Sequence, residues 1–226
     1  MEDIRQLLNI FRNELNTAGQ SFYTWKAINN LASSSKEIYN LLNKNALSWN
    51  IINRSLINTF FITLGRIFDT DKESFSVHAF MRACINNIEQ FNKESLRKRR
   101  IADLKGDNPY WLDKFIEESY VPVAKDFQML RGETSKQQKE YENIYRPIRH
   151  KIIAHTDKET IEIANELFNK TNIEQIEGFL QFLYQIEMIV FNLLENGNLS
   201  KIGDFHYDEN DYIQKDIEGL LNKLQK

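Results

Sequence analysis

Apolar residues recur along the chain at three- and four-residue spacing, the period of one helical face. Ile4, Leu7, Leu8, Phe11 and Leu15 form a first stripe, and Phe22, Trp25, Ile28 and Leu31 a second, before the polar run Ser33-Ser34-Ser35. Those hydroxyls suit the N-cap of a following helix. Trp49, Ile52, Leu56, Phe60, Leu64 and Phe68 predict a long, central core helix from about Ala46 to Phe68, ended by Asp69-Thr70-Asp71. A further helix is expected from Ser76 through Phe80, Met81, Cys84 and Ile88 to Phe91. Pro109 fits the first turn of a helix holding Trp111, Leu112, Phe115 and Ile116, which Pro122 ends or kinks.

Thr134 or Ser135 is placed as the cap of a helix that runs to His155 and is bent by Pro147. Asp157 is read as the cap of a short helix with Ile161, Ile163, Leu167 and Phe168, and Thr171 as the cap of a long one through Ile176 to Leu193, stopped by Asn196-Gly197. The last stripe, Tyr212, Ile213, Ile217, Leu220, Leu221 and Leu224, is amphipathic and belongs to a docking or detachable helix. No strand-period segment and no repeat stands out. The expected architecture is all-α: a single domain over residues 1–226, its core at about 46–195 and residues 196–226 a C-terminal extension.

Composition narrows this picture. With 226 residues, 42% of them hydrophobic, the chain can bury one sizeable core, and 8 Gly with 3 Pro exclude collagen-like or Pro-rich linker architectures. Cys84 is the single cysteine, which excludes an internal disulfide and argues against a zinc site. Charged residues interrupt the segment from Met1 to Arg12, unlike a secretory leader, and the apolar stretches Leu56–Phe68 and Leu180–Leu194 are short of spanning length. A cytoplasmic protein without a membrane segment is expected. The formal charge of −3 argues against a uniformly basic surface, although Arg97-Lys98-Arg99-Arg100 is a local basic run, either a phosphate track or a solvated helix face. Asp69, Asp71 and Glu73 do not complete a calcium loop, because Ser74 and Phe80 stand where glycine and glutamate are needed. Arg66 and Asp69, three apart, suit an ion pair or cap. Gly65 and Gly197 are isolated, so no phosphate-cradling loop exists.

Candidate chemistry concentrates in Tyr145-Arg146-Pro147-Ile148-Arg149-His150-Lys151-Ile152-Ile153-Ala154-His155, three cations and two of the four histidines in an otherwise apolar helical stretch. His78 and His206 lack such company. An imidazole near neutrality can take a proton from a hydroxyl, and a guanidinium can hold a phosphate bidentately and offset the charge of its transition state. Attack of a ribose hydroxyl on the adjacent phosphorus needs those two functions, and only RNA carries that hydroxyl. On a regular helix Arg149 and His155 stand about 9 Å apart along the axis and roughly 120° apart around it. A two-fold dimer could converge two such helix ends into one composite site, and a bend at Pro147 is the alternative. The competing reading makes the cations a solvated stripe and His155 a helix C-cap.

Arg149 to His155 resembles the Arg-x(4 to 6)-His motif of HEPN domains, with five intervening residues and a polar residue, His150, directly after the arginine. Leu64-Gly65-Arg66-Ile67-Phe68-Asp69-Thr70-Asp71-Lys72-Glu73-Ser74 resembles the early-helix signature of the abortive-infection AbiU branch of that superfamily. The resemblance implies a helical bundle with additional N- and C-terminal helices and a metal-independent endoribonuclease needing no cofactor. Such proteins are usually dimeric, and often toxins or phage-defence effectors that cut cellular RNA. It implies Arg149 and His155 as the catalytic pair, with His150, Arg146 and Lys151 orienting or contacting RNA. RNA, a second copy, and an antitoxin or regulatory protein are the partners it suggests. Asp157 stands where partnered toxins of the superfamily carry a modified tyrosine, which does not support that mode of control. Two rivals stand beside it: a non-catalytic HEPN-like module binding RNA or protein, and a plain helical scaffold with Tyr212 to Leu224 as its partner surface.

Overall fold

The computed structural model describes residues 2–71, 74–148, 172–206 and 209–224. These form nine α-helices and no strand: α1 (Ile4–Ser34), α2 (Lys36–Lys44), α3 (Ala46–Ile67), α4 (Val77–Asn86), α5 (Lys93–Asp103), α6 (Leu112–Glu118), α7 (Ala124–Ile148), α8 (Ile173–Phe191) and α9 (Glu209–Leu224). A 3-10 turn (Ile88–Phe91) links α4 to α5, and a π turn (Asn192–Asn196) ends α8. The all-α expectation holds.

The first two apolar stripes belong to one helix, about 46 Å long at 1.5 Å per residue. Nothing between them stops it, because Gly19 stays helical where the Tyr184 ring lies against it and the Tyr184 hydroxyl donates to Leu15 O at 3.3 Å. Ser35 then caps α2 as expected, its Oγ accepting from Ile38 N at 3.2 Å, and Ser76 caps α4 through Ala79 N. The stripe continuing to Phe91 does so through the 3-10 turn rather than through α4 itself. In α3 only the C-terminal half is core: Phe60, Phe61, Leu64 and Ile67 are buried, whereas Leu47 is 83% and Ile51 68% exposed. Of the stripe in that half, Trp49 and Leu56 are partly buried against Ile28 and Leu31 of α1 and Ile38 and Leu42 of α2, while Ile52 is 40% exposed.

Thr134 and Ser135 do not begin a helix. α7 starts ten residues earlier, where Asp126 accepts from Val123 N and from the Tyr120 hydroxyl, both at 2.9 Å. Thr134 is fully buried in mid-helix with its hydroxyl on Leu130 O, and Ser135 bonds back to Arg131 O in the same way. α8 is capped by Asn172, which accepts from Glu174 N at 2.8 Å, one residue beyond the expected Thr171. Gly197, at φ +53°, stops the π turn as the sequence suggested. The helix expected after Asp157 lies outside the described residues.

The main core gathers α1, α3, α4, α7 and α8 around aromatic side chains, with Phe11 against Phe80 at 5.3 Å and Phe22 against Phe60 at 5.2 Å between ring centres. The C-terminal helix docks: Leu221 of α9 is fully buried with Ile28, Leu31, Ile38 and Leu42 in a second cluster. No described helix is long and apolar enough to cross a membrane.

Candidate functional site

Of the site residues expected from sequence, Arg146 is described; Arg149, His150, Lys151 and His155 lie outside the described residues. Arg146 is exposed in the last described turn of α7, and Arg149 is the next residue after that helix's final described residue, Ile148.

The approach to that motif is built in detail. Tyr141 and Tyr145, four apart, share a face of α7 and turn into the core. Tyr141 stacks on Phe68 at 5.0 Å, and Tyr145 meets Phe179 edge-on at 5.3 Å. Burial, with Glu140 nearby, pushes the Tyr145 hydroxyl up to about 12. The neighbouring face carries Gln138, Glu142 and Arg146, again four apart, toward the end of α3. Between them and Gly65, Phe68, Asp69 and Thr70 opens a cleft of about 220 Å³.

Gln138 ties its two walls together. Its Nε2 donates to Phe68 O at 3.0 Å and to Glu142 Oε1 at 2.9 Å. Asp69 accepts from Asp71 N at 3.0 Å, which fixes the turn leaving α3. Arg66 does not pair with Asp69. It reaches Glu14 on α1 at 2.9 Å and the Thr63 hydroxyl at 3.3 Å, because its place on α3 faces α1 rather than the cleft.

His78, which the sequence left without a role, packs from α4 behind this region. Its pKa is lowered below the ordinary imidazole value by burial first and then by Arg131 and Arg82, against the raising effects of a Gln138 hydrogen bond and of Glu142. The imidazole is therefore held neutral beside the residue that spans the cleft. No sequence signal joins His78 to Gln138, since their helices meet only in the fold.

The basic run of α5 is mostly consumed internally. Arg97 pairs with Asp113 and Lys98 with Glu94. Arg99 donates to Gln90 O and Leu194 O, while Arg100 donates to Glu195 O and Asn196 Oδ1 and lies over the Phe115 ring at 5.4 Å. Arg5 completes the cluster with paired hydrogen bonds to Glu195 and to Asp103, at 2.7–3.0 Å. Arg99 and Arg100 are thus tied into the protein, while Lys98 and Glu94, each 74% exposed, stay on a solvated face. Among the described residues no group of His, Cys, Asp and Glu could hold a metal ion. Cys84 is buried, and burial pushes its thiol pKa up, so it is no nucleophile.

A family model described as HEPN_AbiU2, AbiU2, matches residues 1–222. No curated protein and no solved structure matches the chain. The chain belongs to the AbiU2 family of HEPN domains.

Proposed function

We propose that this AbiU2-family chain is a metal-independent endoribonuclease that acts in the cytoplasm as a toxin or phage-defence effector. The observation that carries the reading is the family match together with the cleft: one wall is the segment resembling the AbiU signature, and the other is the helix leading directly into Arg149. In the proposed reaction His155 takes the proton from a ribose 2′-hydroxyl, whose oxygen attacks the adjacent phosphorus. The bond to the 5′-oxygen breaks, that oxygen leaves as a hydroxyl after gaining a proton, and a cyclic phosphate remains. Arg149 clamps the phosphate and stabilises its transition-state charge. Arg146, His150 and Lys151 contact or orient the RNA. Two copies form a composite site, since six residues of regular helix would separate Arg149 and His155 by about 9 Å. An antitoxin or other regulatory protein is a further proposed partner.

The test is incubation of wild-type, Arg149→Ala and His155→Ala proteins with total RNA and end-labelled tRNA in excess EDTA, with fragment ends checked for cyclic phosphate. Cleavage by wild type alone, losing at least about 1,000-fold in either variant, is the expected result. Equal cleavage by all three overturns the assignment. Binding without cleavage by any of them replaces it with a non-catalytic RNA-binding module. Solution mass tests the dimer: a strict monomer at micromolar concentration removes the composite site.

A further inference from the structure

We infer that the cleft between α3 and α7 is a base-selecting subsite that takes one unpaired guanine of the RNA; this rests on the ribonuclease reading above. At about 220 Å³ the cleft is smaller than a pocket for a drug-sized ligand and suits one planar ring system. Phe68 and Tyr141, stacked on one another at 5.0 Å and both buried, are part of its lining, so a ligand is held there by the polar groups.

The polar lining then discriminates between bases. Asp69 stands on one wall and Glu142 on the other. Among the described residues, Glu142 takes one N–H from Gln138 at Oε1, and Asp69 one backbone N–H at Oδ1. An ionised carboxylate has about four acceptor sites, so each retains capacity for a ligand. Guanine offers two adjacent donors, N1–H and the 2-amino group, which match one carboxylate bidentately. Uracil offers one N–H between two carbonyl oxygens, which a carboxylate repels, and the amino groups of adenine and cytosine adjoin a ring-nitrogen acceptor. Arg146 stands exposed on the same lining, where it can meet O6 and N7 of guanine or the adjoining phosphate. That guanidinium also disfavours a divalent cation between the two carboxylates.

The test uses fluorescein-labelled uridine octamers, with or without one central guanosine, 2′-O-methylated throughout so that they cannot be cut. Anisotropy titrations compare wild type, Glu142→Gln, and Thr70→Trp, which fills the exposed mouth without touching either carboxylate. The expected result is a gain of about tenfold or more in wild-type affinity from the single guanosine. Both variants abolish that gain while their thermal midpoints stay within a few degrees of wild type. Equal affinity for the two octamers in wild type, or a guanosine preference that survives both substitutions, overturns the subsite and leaves the ribonuclease reading intact. Absence of binding to either octamer, with total RNA still cleaved, also overturns the subsite alone; absence of both binding and cleavage overturns the two together.

Discussion

Two charged regions of this molecule hold the same kinds of group to opposite ends. Around the π turn, Arg5, Arg99 and Arg100 meet Glu195, Asp103 and the carbonyls of Leu194 and Glu195, so each cation is matched inside the protein. Arg99 is depressed in pKa mainly by burial, which marks a guanidinium held for structure. At the cleft, Asp69 and Glu142 keep spare acceptor capacity, and Arg146 makes no ion pair among the described residues. The sequence is more basic at the first region, which lines a cleft of about 380 Å³ of its own, yet the cations there are already paired. Positive charge marks an interface only where the fold leaves it unmatched.

Breaking the closed region should cost stability. Glu195→Ala takes the carboxylate from Arg99 and leaves Arg5 with Asp103 alone, and should lower unfolding free energy by about 2 kcal/mol, less than for a fully buried pair because the Arg5 side chain is 38% exposed. Urea denaturation reads this directly, and a change below 0.5 kcal/mol would show the cluster to be ornamental. Gly197→Ala should cost about 2 kcal/mol, since an L-residue is strained at φ +53° and its Cβ would stand 2.7 Å from Ser119 Oγ. That loss should appear in the same denaturation series.

At the open region the effects should move from stability to binding. Arg146→Ala should change stability by no more than about 0.5 kcal/mol while reducing the salt slope of RNA affinity by about one. Lys98→Gln, in the closed region's basic run, should leave that slope unchanged. The reverse pattern would invert the contrast between the regions. The smallest effect is pH-dependent. A His78 held neutral in the fold binds fewer protons than in the unfolded chain between its lowered pKa and the ordinary 6.5. Its stabilising contribution is complete above pH 6.5 and is lost as pH falls below it. Melting curves from pH 7.5 to 5 should therefore decline less for His78→Asn than for wild type.

Most helices were legible because their signals are local. Ser35, Ser76 and Gly197 act where neighbouring residues alone place them, whereas Pro109 lies before the helix it was read into, which starts at Leu112. Thr134 misled because a hydroxyl bonded to the carbonyl four residues back looks, in sequence, like one waiting to cap a helix. Ile52 keeps the apolar period of α3 yet is 40% exposed, so pattern alone made it core. Arg66 was assigned its nearest carboxylate, whereas the fold supplies Glu14 from another helix. Arg99 and Arg100 are held largely by backbone carbonyls some 95 residues away, and a carbonyl has no sequence signature. The same applies to the candidate site. Arg149 and His155 announce themselves by spacing, but Gln138 and Glu142 gain meaning only once α7 lies beside the end of α3.

The length of α1 has a consequence in time. Leu15 meets Tyr184 across 169 residues, and Arg5 meets Glu195 across 190. At the usual 5–20 residues per second of synthesis, the first turn of α1 waits about ten to forty seconds for its last partners to be made. Its apolar stripe is covered in stages, Phe22 by Phe60 and Phe11 by Phe80 before α8 exists, and the contacts most distant in sequence close slowly. The bundle therefore completes late, so whatever activity it carries is withheld until α8 has been made, and the same interval is when a holding chaperone has most to do.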